Sequence, residues 1–247
     1  MMVYDPQTVL ISIDNNLLLV NGLMAICMVA VVIYYIDAFK IAKLHQAYPI
    51  PFAAAGWYAV HDLYFAAEWE KWFVGYSHWW LELWAVSCFF YGTLELVMCY
   101  QVYKYGRKEL MPGLTQRQFG GALLLSLLAI SVFWIMLKQV VNDDLCLIAF
   151  AVTTFWPQVW GTLLMIKRQS MRGCSNTMLW CMLASPIGMF SAWYFLDPFF
   201  RSPIWLSFAA VTVSWAVFNL WLSTKVPKYV SESEPETYVS YRKPLTL

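Results

Sequence analysis

Apolar residues run in long blocks along this chain, and short polar segments divide them. Seven blocks stand out, at 16–37, 50–68, 79–102, 119–138, 145–166, 176–196 and 203–224. A helix of about 20 residues crosses a hydrocarbon layer ~30 Å thick, and each block approaches that length. The pattern predicts an all-α fold, a polytopic membrane protein built as a seven-transmembrane helix bundle over residues 1–229. A polar tail, VSESEPETYVSYRKPLTL at 230–247, follows, and its composition predicts disorder. Pro51 and Pro203 fall in expected first turns, where the missing amide proton costs nothing. Pro157 and Pro186 fall inside the fifth and sixth blocks, where kinks are expected.

The charges between the blocks alternate. Lys40, Lys43, Lys104, Arg107, Lys108, Arg117, Lys167, Arg168, Arg172, Lys225 and Lys228 belong to one set of connections. Asp5, Asp14, Glu68, Glu70, Lys71, Lys138, Asp143, Asp144, Asp197 and Arg201 belong to the other. Basic loops favour the cytosolic side, which puts the N-terminus outside or lumenal and the C-terminus in the cytosol. No basic stretch precedes the first block, so it is expected to stay as an anchor and not be cleaved as a leader. No internal repeat is strong enough to suggest a transporter of two inverted halves.

Composition narrows the class further. Hydrophobic residues make up 61% of the chain and charged residues 13%, about half the share of a soluble domain. With a net charge of +1 and no basic stripe, a nucleic-acid partner is not expected. The bilayer and a lipophilic small molecule are. Cys27, Cys88, Cys99, Cys146, Cys174 and Cys181 form no CxxC pair and read as small buried hydrophobes. His45, His61 and His78 are too scattered for a metal site, and no cofactor is expected. Trp69, Trp72, Trp79 and Trp80 surround one connection, as an interfacial tryptophan belt does, with the roof of a cavity as the lesser alternative for some of them.

Candidate chemistry lies in the polar residues within the blocks, because a carboxyl in hydrocarbon must face the bundle or a cavity. The stretch GWYAVHDLYFAAEWE carries His61, Asp62 and Glu68, and the third block carries Glu82 and Glu95. Asn21, Asp37, Gln158 and Asn219 complete the set. Glu68 lies six residues beyond Asp62, ~9 Å along a helix, and Asp62 is the deeper of the two. His61 points about 100° from Asp62, which suggests a neighbour-orienting role away from the Asp62 face. Glu82 and Glu95 are 13 residues apart, ~140° around a helix, so one pocket is not expected to use both. Such acids either fasten helices together or, held protonated by apolar surroundings, deliver a proton to an alkene or an epoxide oxygen. The resulting cation suits the aromatic faces of Trp57, Tyr58, Phe65, Tyr91, Trp156, Trp193 and Trp215, the candidate substrate-lining side chains, with Asn219 as a polar member. No nucleophile elbow, P-loop or histidine box is present.

On these features the chain resembles the small seven-span integral membrane terpene cyclases of meroterpenoid biosynthesis. The second block reads AVHDLYF, with Asp62 where that family places its catalytic glutamate and His61 where it places tryptophan. The last block, VSWAVFN, offers Ser214 and Asn219 where the family has an aspartate. SNTMLWCMLASPIGMFSAWY and DPFFRSP match the family in texture. The resemblance implies a prenylated or terpenoid substrate, with or without a terminal epoxide, that is protonated by Asp62 without a metal. It also implies an endoplasmic-reticulum location in a fungus or a plasma-membrane location in a bacterium. A membrane sterol or isoprenoid double-bond isomerase is the alternative enzyme. A proton-coupled transporter or lipophilic ligand-binding protein is the alternative outside catalysis, and paired broken helices would mark it. A purely structural protein would have a pocket under ~300 Å³.

Overall fold

The computed structural model describes residues 4–229, and the tail at 230–247 lies outside them. Every regular element among the described residues is helical. In chain order these are α1 (Pro6–Asn15), α2 (Leu17–His45), α3 (Phe52–Ala67), a π-helical turn (Lys71–Tyr76), α4 (Trp79–Leu110), α5 (Gln116–Val141), α6 (Leu147–Arg168), α7 (Asn176–Trp193), a 3-10 turn (Pro198–Arg201) and α8 (Pro203–Ser223). Five of these, α2, α4, α5, α6 and α8, are long and apolar enough to cross a membrane. At 16 and 18 residues, α3 and α7 rise only ~24 and ~27 Å and are the innermost helices.

The helix ends follow local chemistry. Thr115 opens α5 with a capping box, its hydroxyl accepting from the Gln118 amide while Gln118 accepts from the Thr115 amide. Ser175 and Ser202 cap α7 and α8 through their hydroxyls. Pro157 and Pro186 lie within helices that remain continuous. Pro186 brings no amide proton to the Met182 carbonyl, and Gln158 Nε2 donates to that carbonyl at 2.7 Å.

Packing is closest where side chains are smallest. Helix α2 lies along α7, and α3 along α4. A Cβ at Gly188 would stand 2.7 Å from the Leu23 carbonyl oxygen and 2.9 Å from the Cys27 nitrogen, so the two backbones meet there. At Gly92 the α4 backbone meets Leu63 of α3 in the same way, with 2.7 Å to its Cγ. Helix α5 is peripheral: Leu124, Leu125, Leu128, Val132 and Val140 are exposed, while Trp134 is buried against α3.

The connections gather at two ends. At the basic end, Arg168 donates to both Glu109 oxygens, at 3.1 and 3.0 Å, and to the Tyr48 carbonyl at 3.1 Å. Arg172 reaches the Gln46 carbonyl at 3.1 Å. Gly173 has φ +76° and lies so close to Arg168 that a Cβ would come within 2.3 Å of Nη1, so only glycine fits. At the acidic end, α1 is a helix that the apolar blocks did not announce. Asp5 caps it, and its Val9, Leu10 and Ile13 are buried. Tyr4 donates to Asp143 at 2.6 Å, and Lys71 to the Asp144 carbonyl oxygen at 2.8 Å. The four tryptophans of this region separate: Trp69 and Trp79 are exposed, Trp80 is buried, and Trp72 is buried with Nε1 donating to the Phe65 carbonyl at 2.6 Å.

The surroundings shift two adjacent acids at this end in opposite directions. Burial opposes ionisation of Asp144, but hydrogen bonds from Lys71 and Tyr76 outweigh it and hold the carboxyl below the usual range. Burial lifts Asp143 above that range, against the hydrogen bond from Tyr4. A lowered folded-state value contributes stability above the unfolded value that is lost as pH falls through the folded one. Asp144→Asn therefore lowers the melting temperature at pH 7, and the gap to wild type closes as pH drops below about 4. Asp143→Asn is the control, since its raised value gives the reverse dependence. A gap for Asp144→Asn that does not change with pH would refute the assignment.

Candidate functional site

Helices α2, α3, α4, α6 and α7 line a cavity of ≈ 120 Å³. Asp62 and Tyr58 reach it from α3, Glu95, Trp84 and Tyr91 from α4, Tyr34 and Tyr35 from α2, and Phe150 from α6. Pro157, Gln158 and Pro186 line it as well. The two acids come together because α3 packs along α4, and because Gly92, one turn from Glu95, admits Leu63, the neighbour of Asp62.

His61 meets Asp62 directly, its Nδ1 lying 2.7 Å from Asp62 Oδ1. The sequence predicted a role away from the Asp62 face. Both side chains are short enough to turn toward each other across one residue, so the ~100° between their Cα positions does not separate them. The imidazole packs edge-on against Phe150 at 4.1 Å and Trp134 at 4.8 Å between centroids, and its Nε2 has no hydrogen-bond partner among the described residues. Across the cavity, the Tyr35 hydroxyl donates to Glu95 Oε1. Glu95 is 2% exposed and Asp62 9%. Among the described residues, Glu95 Oε2, the Tyr58 hydroxyl and Trp84 Nε1 are buried without hydrogen-bond partners.

The other sequence candidates occupy different surroundings. Glu68 ends α3 and pairs with Lys138 of α5. Glu82 stands in the first turn of α4, half-buried and away from the cavity. Trp57 packs edge-on against Trp134 at 5.3 Å, and Phe65 stacks on Trp72 at 4.3 Å. Trp156 lies beside Trp160, and Trp193 Nε1 donates to the Leu147 carbonyl at 3.0 Å. Trp215 donates to the Thr162 hydroxyl at 2.8 Å. That hydroxyl donates to Asn219, whose amide donates to the Gln158 carbonyl at 2.8 Å. This last group ties α6 to α8.

Tyr34, Tyr35, Trp84 and Phe150 line the cavity but were not singled out from the sequence. An aromatic in an apolar block gives no polarity signal, and Tyr35 gains its role only through Glu95. No family model, curated protein or solved structure matches the chain.

Proposed function

We propose that this chain is a seven-span integral membrane enzyme of the terpene cyclase kind, starting carbocation chemistry by protonating an alkene or terminal epoxide of a prenylated substrate. The single observation that carries this reading is that two buried carboxyls share one aromatic cavity and hydrogen bonds there remain open. In this reading the pair holds one proton. Asp62, steadied by His61, delivers it to the substrate carbon or epoxide oxygen. Tyr34, Tyr58, Trp84, Tyr91 and Phe150 face the cation, and aromatic faces stabilise cations best where water is excluded. Glu95, oriented by Tyr35, takes the final proton and returns it to Asp62. No net proton is consumed, so product and substrate are isomers.

The cavity volume favours a second reading. At ≈ 120 Å³ it lies below the ~300 Å³ at which ligand sites usually begin, as expected if the acids serve packing alone. The test uses the full chain in nanodiscs with a panel of prenylated alkenes and terminal epoxides, with chromatography resolving products of unchanged mass. Glu95→Gln is expected to slow conversion by roughly 10²–10⁴-fold, the range for loss of an acid–base group. Tyr35→Phe keeps the ring and removes the orienting hydroxyl, so it costs less than Glu95→Gln. A Glu95→Gln variant that converts substrate at the wild-type rate would exclude Glu95 from the chemistry.

A further inference from the structure

Helices α2 and α4 face each other across the cavity but do not pack along each other. Helix α2 lies on α7 and α4 on α3. Their faces have a simple register. On α4, Leu83, Ser87, Tyr91 and Glu95 recur every four residues and form one stripe. On α2, Asn21, Met28 and Tyr35 recur every seven, also along one side. Tyr35 bonds Glu95 and meets the Tyr91 ring edge-on at 5.8 Å, closing the seam toward the basic end. Toward the acidic end the seam stays open. Met28, Val31 and Ser87 line the cavity and are only half-buried. About one to three turns further, Leu17, Leu18, Asn21, Gly22, Trp79 and Leu83 form an open groove between the same two helices.

We infer that the cavity opens sideways into the bilayer between α2 and α4, and that its ligand is a long-chain lipophile admitted only by its reacting end. The rest of the chain lies in the groove beside Leu18, Gly22 and Leu83. This rests on the reading of the cavity as a ligand site, and it resolves the mismatch in size. A volume of ≈ 120 Å³ need hold only the group to be protonated, while the apolar remainder stays in surroundings it already prefers. Gly22 leaves room for it, since a Cβ there would meet nothing within 4 Å. Trp84 Nε1 and the Tyr58 hydroxyl can each donate to an oxygen at the reacting end. A ketone, ether or epoxide oxygen accepts such bonds.

The test is photolabelling of the full chain in nanodiscs by two neutral long-chain ketones. One carries a diazirine beside the ketone and the other at mid-chain. Adducts are mapped by peptide mass spectrometry. The first probe is expected to label the segments holding Asp62 and Glu95, and the second those holding Leu18 and Leu83. Ser87→Trp fills the lip of the opening, and the Ser87 hydroxyl bonds only its own helix at the Leu83 carbonyl. It should cut cavity labelling by about tenfold or more. Val31→Trp does the same from the α2 side, in case one variant folds poorly. Phe89→Trp, at an exposed position on α4, leaves labelling unchanged. Absence of cavity adducts in wild type, or equal labelling in folded Ser87→Trp and Val31→Trp variants, overturns the inference. Labelling does not require turnover. Cavity adducts blocked by the lip variants without any conversion would keep the opening and sink the proposed catalysis.

Discussion

Asp62→Asn is expected to abolish product formation, by roughly 10²–10⁴-fold, while leaving the fold in place. The substitution keeps the side-chain volume and an oxygen to face His61 Nδ1, 2.7 Å from Oδ1 in the wild type. It removes the proton that starts the reaction. Three readouts separate chemistry from packing. Melting temperature checks the fold, product formation checks turnover, and photolabelling checks whether the lipophile still enters. Loss of turnover with the other two intact assigns the acid to Asp62. A wild-type rate transfers that role to Glu95, the other carboxyl on the cavity. Glu68, engaged with Lys138, and Glu82, in the first turn of α4, do not line it.

Gly188→Val should lower the melting temperature most among the single changes considered. A Cβ there stands 2.7 Å from the Leu23 carbonyl oxygen and 2.9 Å from the Cys27 nitrogen, both backbone atoms that cannot swing aside. Overpacking typically costs ~1–3 kcal/mol, which for a chain of this size corresponds to roughly 2–12 °C. Function should suffer as well, since Cys27, Ser185, Pro186 and Met189 carry the α2–α7 seam to the cavity wall. Gly22→Val, on α2 where nothing lies within 4 Å, is the matched control and should leave the melting temperature nearly unchanged. Equal melting temperatures for the two variants would show that the α2–α7 backbone contact does not limit stability.

Much of this fold was legible in one dimension. The expected block at 176–196 is the helix Asn176–Trp193, and that at 203–224 is Pro203–Ser223. The blocks at 16–37 and 79–102 end early, because α2 and α4 continue to His45 and Leu110 through segments that carry charged side chains and so interrupt the apolar run without ending the helix. Helix α1 escaped notice because it is short and lies over the acidic end, although Asp5–Pro6 is a helix-start signal in plain view. The site was half legible. Asp62 and Glu95 stand out because an acid within an apolar block is costly and must face inward. Their aromatic neighbours could not be ranked, since the chain holds 14 Trp, 15 Tyr and 16 Phe.

By itself, then, the sequence determined the all-helical architecture, the alternation of basic and acidic connections, and the short list of acids that must be sheltered. These follow from local backbone hydrogen bonding and the cost of burying charge, both readable residue by residue. Only the tertiary structure decided that Asp62 and Glu95 share a cavity, that His61 holds Asp62, and that Asn219 and Trp215 fasten α6 to α8 instead. Helical register says which way a side chain points, not which helix it meets. That choice is made where backbones approach most closely, at Gly188 against α2 and at Gly92 against α3.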